Sequence, residues 1–147
     1  MADKELSGKP FASECMNGNK SIRMDHVAFE VSDLDQSVDF YRIAMGFELK
    51  WRHRNEQENE ECVFLVLGDV RLELLVNLHG ATPARGKPKT PYCPHLAIGV
   101  DNLDAAALQL QQNGVSLLRG PLEVEGKVRW LYFADPDHNV IELVEWL

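Results

Sequence analysis

Alternating polar and apolar positions over residues 24–31 predict a first strand, in which His26 and Glu30 point to the same side. A helix is expected to follow this strand. A Ser-Asp pair at 32–33 supplies an N-cap, apolar residues then recur at helical spacing, and Gly46 stands where a glycine commonly ends a helix. The pattern from residue 24 onward therefore predicts a strand followed by a capped helix.

Three more strands are predicted after this helix, over residues 47–53, 61–67 and 70–77. A tight turn at residues 68–69 joins the last two of them. In the final strand the apolar positions alternate with polar ones, so Glu73 points away from the side that packs on the helix. The first half of the chain is thus predicted to be one βαβββ module.

The same order of elements recurs after a segment at 78–93 that is rich in glycine and proline and is expected to be a linker. The predicted elements of this second half are a strand at 94–100, a helix at 103–113 and strands at 115–118, 128–134 and 140–146. Residues 1–22 show no apolar period and predict a flexible tail. We therefore expect a single α+β domain over residues 23–147, made of two βαβββ modules at 24–77 and 94–146.

Two histidines and two glutamates repeat in the same register as these modules. His26 and Glu73 stand 47 positions apart, His95 and Glu142 stand 47 positions apart, and a shift of 69 superimposes the pairs. The surrounding residues align without a gap, with Phe64 falling on residue 133. A period this long with only two copies indicates two halves of one compact fold rather than a repeat array.

Composition narrows the range of functions. With a net charge of −8 and 15 scattered basic residues in 147, the chain does not resemble a nucleic-acid binder. No apolar stretch is long enough for a membrane span and the first residues lack the pattern of a signal peptide, so a cytoplasmic location is expected. The three cysteines, Cys15, Cys62 and Cys93, have no paired spacing and suit reduced thiols.

The duplicated pairs predict a metal site. If the two sheets curve and their concave faces oppose each other, the four side chains converge on one cleft. Imidazole and carboxylate ligands suit a divalent ion such as Zn²⁺, Ni²⁺, Co²⁺, Mn²⁺ or Fe²⁺. Four protein ligands leave two positions of an octahedral ion open, which permits a small-molecule substrate to bind there.

Several stretches resemble the vicinal oxygen chelate superfamily, which includes glyoxalases, bleomycin-resistance proteins and ring-cleaving dioxygenases. These stretches are His-Val-Ala-Phe-Glu-Val-Ser-Asp-Leu at 26–34, Pro-His-Leu-Ala-Ile-Gly-Val at 94–100 and Phe-Ala-Asp-Pro-Asp-His-Asn-Val-Ile-Glu-Leu at 133–143. The resemblance implies paired βαβββ modules that form a curved mixed sheet around a cleft, with one divalent metal ion per site.

Within that superfamily, the order His, Glu, His, Glu is similar to glyoxalase I. The likeness implies a metal-dependent isomerase or lyase, such as a lactoylglutathione lyase, which chelates neighbouring oxygens of a small substrate and moves a proton through an enediolate. It makes His26, Glu73, His95 and Glu142 the metal ligands. It further implies that Glu142, with Glu73 opposite, is the catalytic base.

The residues that would bind substrate match glyoxalase I only in part. Asn77 matches an asparagine that contacts glutathione in that family, but Glu30 stands where glyoxalase I presents an arginine to the glutathione carboxylates. A carboxylate there repels an anionic tripeptide. Arg71, Arg129 and the loop residues 85, 87 and 89 could supply positive charge, and Trp130 could form a wall of the pocket.

Other activities of the superfamily remain open at this stage. A different isomerase or epimerase fits equally well. An Fe²⁺-dependent ring-cleaving dioxygenase needs only two histidines and one carboxylate, so the additional ligand Glu73 disfavours it. A drug-sequestering resistance protein needs none of the four ligands, so the presence of both intact pairs disfavours it. Modules of this family often pair across two chains, which leads us to expect a homodimer with two sites.

Overall fold

The structure is a computed structural model that describes residues 23–81 and 85–147. The tail predicted over residues 1–22 lies outside the described residues. The first module consists of β1, α1, β2, β3 and β4, which span Val27–Glu30, Leu34–Met45, Glu48–Asn55, Glu60–Leu67 and Val70–Asn77. Its sheet has the order β1-β4-β3-β2, with β1 parallel to β4 and the other pairs antiparallel. The predicted βαβββ order is confirmed.

The second module repeats this arrangement. It consists of β5, α2, β6, β7 and β8, which span His95–Gly99, Leu103–Gln112, Leu117–Val124, Val128–Ala134 and Val140–Trp146. The sheet order is β5-β8-β7-β6, and β5 runs parallel to β8. The described residues thus form two four-stranded mixed sheets, one in each module, in agreement with the predicted pair of βαβββ modules.

Both helices begin where the sequence predicts, and α2 ends at Gln112, one residue before the predicted end. The side chain of Asp33 accepts a hydrogen bond from the Gln36 N–H at 3.0 Å, and Asn102 does the same for Ala105 in α2 at 2.9 Å. Gly46 closes α1 with φ of 78°, a left-handed conformation that glycine adopts without steric cost. Capping residues in the local sequence therefore determine where the helices begin and end. Neither helix in the described part of the chain is long and apolar enough to cross a membrane.

A single hydrophobic core joins the modules. It combines the inner side of each helix with the helix-facing side of each sheet, including Tyr41, Leu72 and Leu74 from the first module and Leu131 and Phe133 from the second, all fully buried. The alternation in β4 is as predicted, because Leu72 and Leu74 face this core. The opposite, solvent-facing side of each sheet is then left to carry the polar residues.

A buried polar contact also links the modules. The Tyr41 hydroxyl donates to Asp135 Oδ2 at 2.9 Å, and Asn139 Nδ2 donates to the same oxygen at 2.8 Å. Burial raises the pKa of the Asp135 carboxyl above its usual value, and burial together with the Asp135 charge raises the pKa of Tyr41. Nearby, the Ser32 N–H donates to Asp137 Oδ2 at 3.0 Å. The turn at 135–139 thus holds the first module against the second.

Replacing Tyr41 with phenylalanine removes this link without opening a large cavity. We expect the free energy of unfolding to fall by about 1.5–3 kcal/mol, the range for a hydrogen bond to a charged group. Urea denaturation measures the change, and an unaltered dependence on urea concentration would show that the folded state keeps its compactness. A loss below about 0.5 kcal/mol would mean that the contact contributes little beyond packing.

Five strands, β1, β2, β3, β5 and β6, depart from the predicted bounds, and β1 and β6 depart most. β1 starts at Val27 rather than residue 24, which leaves His26 just before the strand. β6 runs from Leu117 to Val124, through Gly120 and Pro121, whereas the sequence predicted a strand over 115–118. β6 lies at the edge of its sheet, where a proline need not donate a ladder hydrogen bond, and register shifts flank Arg119.

Candidate metal centre

The first histidine-glutamate pair forms where β1 and β4 run side by side. Ala28 lies directly opposite Glu73 in the register, and His26 stands two residues before Ala28 on the same side of the sheet. The imidazole Nε2 of His26 is 3.2 Å from Glu73 Oε2. The Glu73 side chain is only 16% exposed and that of His26 is 35% exposed, so the pair sits in a shallow recess that solvent can reach.

The second pair repeats the first on β5 and β8. Ala97 lies opposite Glu142, and His95 stands two residues before it. His95 Nε2 is 2.9 Å from Glu142 Oε2, with side-chain exposures of 23% and 16%. The sequence duplication therefore corresponds to two similar arrangements of donor atoms, one on each sheet.

Each histidine has a second partner on its other ring nitrogen. His26 Nδ1 is 2.9 Å from Asp25 Oδ2, and His95 Nδ1 is 2.9 Å from the backbone oxygen of Tyr92. Both partners are acceptors, so Nδ1 is the donor in each ring, and Nε2 is the nitrogen that faces the glutamate. The hydrogen bond with His26, aided by the charge of Arg71, lowers the pKa of Asp25 below its usual value.

This donor set fits a divalent cation. In each pair an imidazole nitrogen and a carboxylate oxygen lie about 3 Å apart, and both are donor atoms that borderline divalent ions accept. Partners that fix the Nδ1 proton are typical of histidines that bind metals through Nε2. His26 and Glu73, or His95 and Glu142, could each supply two ligands to such an ion.

The two pairs do not meet within one chain. Among the residues that the structure describes, no three potential ligands of the His, Cys, Asp and Glu types lie close enough to hold one ion together. The sequence left open whether the pairs meet within one chain or across two, and convergence of all four side chains on one ion stays a prediction. The helix sides of the two modules pack into the common core, and this directs the faces that carry the pairs outward.

Aromatic side chains surround both pairs, and the sequence reasoning missed most of them. In the first sheet Phe64 lies opposite Glu73 and Trp51 lies opposite Phe64; the His26 and Phe64 rings are 5.2 Å apart, edge to face. In the second sheet Tyr132 lies opposite Glu142, and its ring is 5.6 Å from that of His95. Burial, together with the Glu142 charge, raises the pKa of Tyr132.

The position of Tyr132 corrects the ungapped alignment of the two halves. Structurally, Tyr132 is the counterpart of Phe64, because each lies opposite the glutamate of its sheet. Phe133, which the shift of 69 had aligned with Phe64, is fully buried in the core. The strand alternation of the second half, Tyr132 polar and Phe133 apolar, was the signal that could have revealed a slip of one residue.

Two cysteines lie near the pairs. Cys62 is buried, on the same side of β3 as Phe64, and burial together with the charges of Glu73 and Glu60 raises the pKa of its thiol. It therefore stays protonated at neutral pH and is a poor metal ligand in this state. Cys93 is exposed, with its sulfur 3.8 Å from His95 Nδ1 and therefore on the opposite edge of the ring from Nε2.

The predicted substrate-binding residues fall in different places. Glu30 and Asn77 line one depression of about 270 Å³ at the far end of the first sheet, together with Glu58 and Glu60. Asn77 Oδ1 is occupied there, since it accepts hydrogen bonds from its own turn, including the Gly80 N–H at 2.6 Å. This end of the first sheet is acidic, which reinforces the expected repulsion of a tripeptide such as glutathione.

The predicted cationic residues are mostly engaged elsewhere. Arg71 donates to Asp25 at 3.0 Å, beside His26. Arg129 lies on the helix side of its sheet, where it donates to Asp104 on α2 at 2.7 Å, so the structure does not bring it to the pairs. Trp130, on the opposite side of the same strand, lines an open cavity of about 520 Å³. Arg85 and Lys89 line a cavity of about 490 Å³ that His95 also borders.

Comparison with known proteins agrees with the fold. The family described as Glyoxalase/Bleomycin resistance protein/Dioxygenase superfamily matches residues 23–143. The chain is 32% identical over 129 residues to the lactoylglutathione lyase of Escherichia coli O157:H7, which covers 84% of this chain and 93% of that protein. It is 28% identical over 117 residues to the mitochondrial methylmalonyl-CoA epimerase of Homo sapiens, which covers 78% of this chain and 66% of that protein.

A solved structure adds support for the fold. A glyoxalase family protein from Bacillus cereus superimposes with a TM-score of 0.73 at 24% identity, which covers 90% of this chain and 99% of that one. Together with two βαβββ modules and a family match that spans nearly all described residues, this establishes the family. The chain belongs to the glyoxalase, bleomycin resistance protein and dioxygenase superfamily, also known as the vicinal oxygen chelate superfamily.

Proposed function

We propose that the protein is a metal-dependent isomerase or lyase of glyoxalase I type that works as a homodimer. Each of its two sites takes His26 and Glu73 from one subunit and His95 and Glu142 from the other. The observation that carries this proposal is the repeated donor geometry: in both pairs Nδ1 is bonded to an acceptor while Nε2 faces a carboxylate at about 3 Å.

Exposed aromatic residues support the assembly. Trp51 shares its side of the first sheet with Glu73, and Trp146 shares its side of the second sheet with Glu142. Their exposed fractions are 50% and 76%. Large exposed apolar side chains of this kind on a sheet face favour coverage by a second molecule. A two-fold dimer covers both faces at once and brings the complementary pairs together.

The chemistry of the site follows from its carboxylates. A bound divalent ion would polarise adjacent oxygens of a substrate as a Lewis acid. Glu142 takes a proton from the carbon beside the substrate carbonyl and returns it to the neighbouring carbon, and Glu73 approaches from the opposite side. The rings of Phe64 and Tyr132 exclude water from the carboxylates, which strengthens their interaction with the reacting atoms.

The use of glutathione can be tested separately from the metal chemistry. Because Glu30 adds a negative charge to an already acidic depression, we expect poor conversion of the methylglyoxal-glutathione adduct by the wild-type protein with Ni²⁺, Co²⁺ or Zn²⁺. In Glu30→Arg, kcat/KM for lactoylglutathione formation should rise by about tenfold or more, since a repulsive contact becomes an ion pair. A spectrophotometric assay measures the product directly.

Glu58→Arg is the matched control for this variant. It makes the same charge change at the rim of the same depression but does not lie on β1. Equal gains in both variants would show a general charge effect rather than a role for position 30. If neither the wild-type protein nor Glu30→Arg forms lactoylglutathione with any of the three ions, glutathione is not part of the substrate.

A further inference from the structure

The second sheet carries a row of side chains that leads away from Glu142. Strand register places Glu142, Tyr132 and Arg119 side by side on β8, β7 and β6. Two strand spacings separate the first from the last, a distance of about 10 Å between backbones. The row therefore connects one half of the proposed metal site with a cation at the edge of the sheet.

An open cavity of about 520 Å³ lies along this row. Its walls include Tyr92, Trp130 and Tyr132, with Arg119 at one side. The rings of Tyr92 and Tyr132 are 5.1 Å apart at an angle of 37°. Aromatic walls of this kind favour a flat, apolar ligand, because rings stack well against other rings and lose little entropy on binding.

Arg119 forms no ion pair with any residue that the structure describes. Arg52, Arg54, Arg71 and Arg129 each form an ion pair with a carboxylate, whereas Arg119 is exposed and no carboxylate lies within ion-pair distance of it in the described ranges. Its charge instead acts on the neighbouring Tyr132 hydroxyl. A guanidinium left free at the rim of an aromatic cavity is suited to bind a carboxylate or another oxyanion.

The backbone around Arg119 holds it in this place. Gly120 adopts φ of 108°, and a Cβ added there would lie 2.9 Å from the Trp130 backbone oxygen and from Leu131 Cα. Only glycine permits this close approach of β6 to β7. The resulting shift in register sets Arg119 opposite Tyr132 instead of continuing the regular pairing.

The two half-sites differ in this respect. In the first sheet the corresponding row runs from Glu73 through Phe64 to Trp51 and ends in an aromatic ring. The depression at the far end of the first sheet is acidic, with Glu30, Glu58 and Glu60 among its lining residues. An assembled site would therefore be aromatic on both sides, with Arg119 as the cation at the end of the row on the second sheet, which favours one orientation of a bound anion.

Resting on the proposed metal-dependent function, we infer that the substrate is an aromatic compound that carries its two adjacent oxygens at one end and an anionic substituent at the other. The oxygens lie at the histidine-glutamate pairs, the ring lies between Tyr92, Trp130 and Tyr132, and the anion binds Arg119. Arg119 is a specificity-determining residue in this account.

Three small chelators test this assignment on the metal-loaded protein. Catechol has the adjacent oxygens and the ring, 3,4-dihydroxybenzoate adds a carboxylate on the far side of the ring, and tartrate has oxygens and carboxylates without a ring. Titration calorimetry on the Ni²⁺ form gives the three dissociation constants. We expect 3,4-dihydroxybenzoate to bind about tenfold more tightly than catechol, as a charge-assisted contact allows, and tartrate to bind more weakly than either.

Variants separate the contribution of Arg119 from intrinsic differences between the chelators. In Arg119→Met the preference for 3,4-dihydroxybenzoate over catechol should fall about tenfold. Arg54→Met is the control: it removes the same charge on the helix side of the first sheet, and it should keep the preference. An unchanged preference in Arg119→Met, or tighter binding of tartrate, overturns the inference. If catechol binds no better with Ni²⁺ than without it, the metal-dependent function itself fails, and the inference fails with it.

Discussion

Replacing His95 with alanine is expected to lower the affinity of the protein for Ni²⁺ by more than about 100-fold, because loss of an outer-shell partner alone typically costs 10–100-fold and this residue would bind the ion itself. Glu142→Ala should have a similar effect. Both residues are more than three-quarters buried, and their side-chain atoms Nε2 and Oε2 lie 2.9 Å apart. Elemental analysis of the purified variants and calorimetric titration with Ni²⁺ measure the loss.

The chain offers a matched control for this experiment. His79 also lies near a glutamate, with Nε2 at 3.8 Å from Glu56 Oε2, but its side chain is 68% exposed. His79→Ala should bind Ni²⁺ as the wild-type protein does. Metal content that stays unchanged in both His95→Ala and Glu142→Ala would contradict the proposed metal site.

Stability gives an independent measure of the same effect. An ion that binds only the folded state stabilises it in proportion to the logarithm of its concentration over Kd, so Ni²⁺ at 100 times Kd adds about 2.7 kcal/mol. Without an ion, partly exposed histidine-glutamate pairs contribute at most about 1 kcal/mol each. Added Ni²⁺ should therefore raise the melting temperature of the wild-type protein and not that of His95→Ala.

Much of this fold could be predicted because local signals agree with tertiary structure. The bounds of β4, β7 and β8 match the prediction at both ends, and each is a strand whose alternation separates the core from the opposite face. Both helices carry their own capping residues. The histidine-glutamate pairs could be predicted for the same reason, since the duplication repeats the modules that position them.

What could not be predicted depends on irregular backbone and on contacts between modules. The register shifts on either side of Arg119 place it beside Tyr132, and no spacing rule anticipates them. Trp51 likewise reaches the first site through a shift between Leu49 and Trp51. Whether the modules of a chain share a cleft depends on which faces form the core, and the amphipathic pattern of a single strand is the same in either case.

The second large effect concerns the assembly of the site from two chains. A protein with His26→Ala and Glu73→Ala lacks the first pair, and a protein with His95→Ala and Glu142→Ala lacks the second. Neither forms a complete site as a homodimer. In a mixed dimer, the intact second pair of one subunit meets the intact first pair of the other, so one of the two sites is restored.

Coexpression of the two double variants with different affinity tags, followed by purification on both tags, isolates these mixed dimers and tests the shared site directly. The account predicts about one Ni²⁺ per mixed dimer, compared with about two per wild-type dimer and almost none in either parent, because a two-fold interface generates two equivalent sites. Mixed dimers that bind no more Ni²⁺ than their parents, or chains that do not purify together, would contradict it.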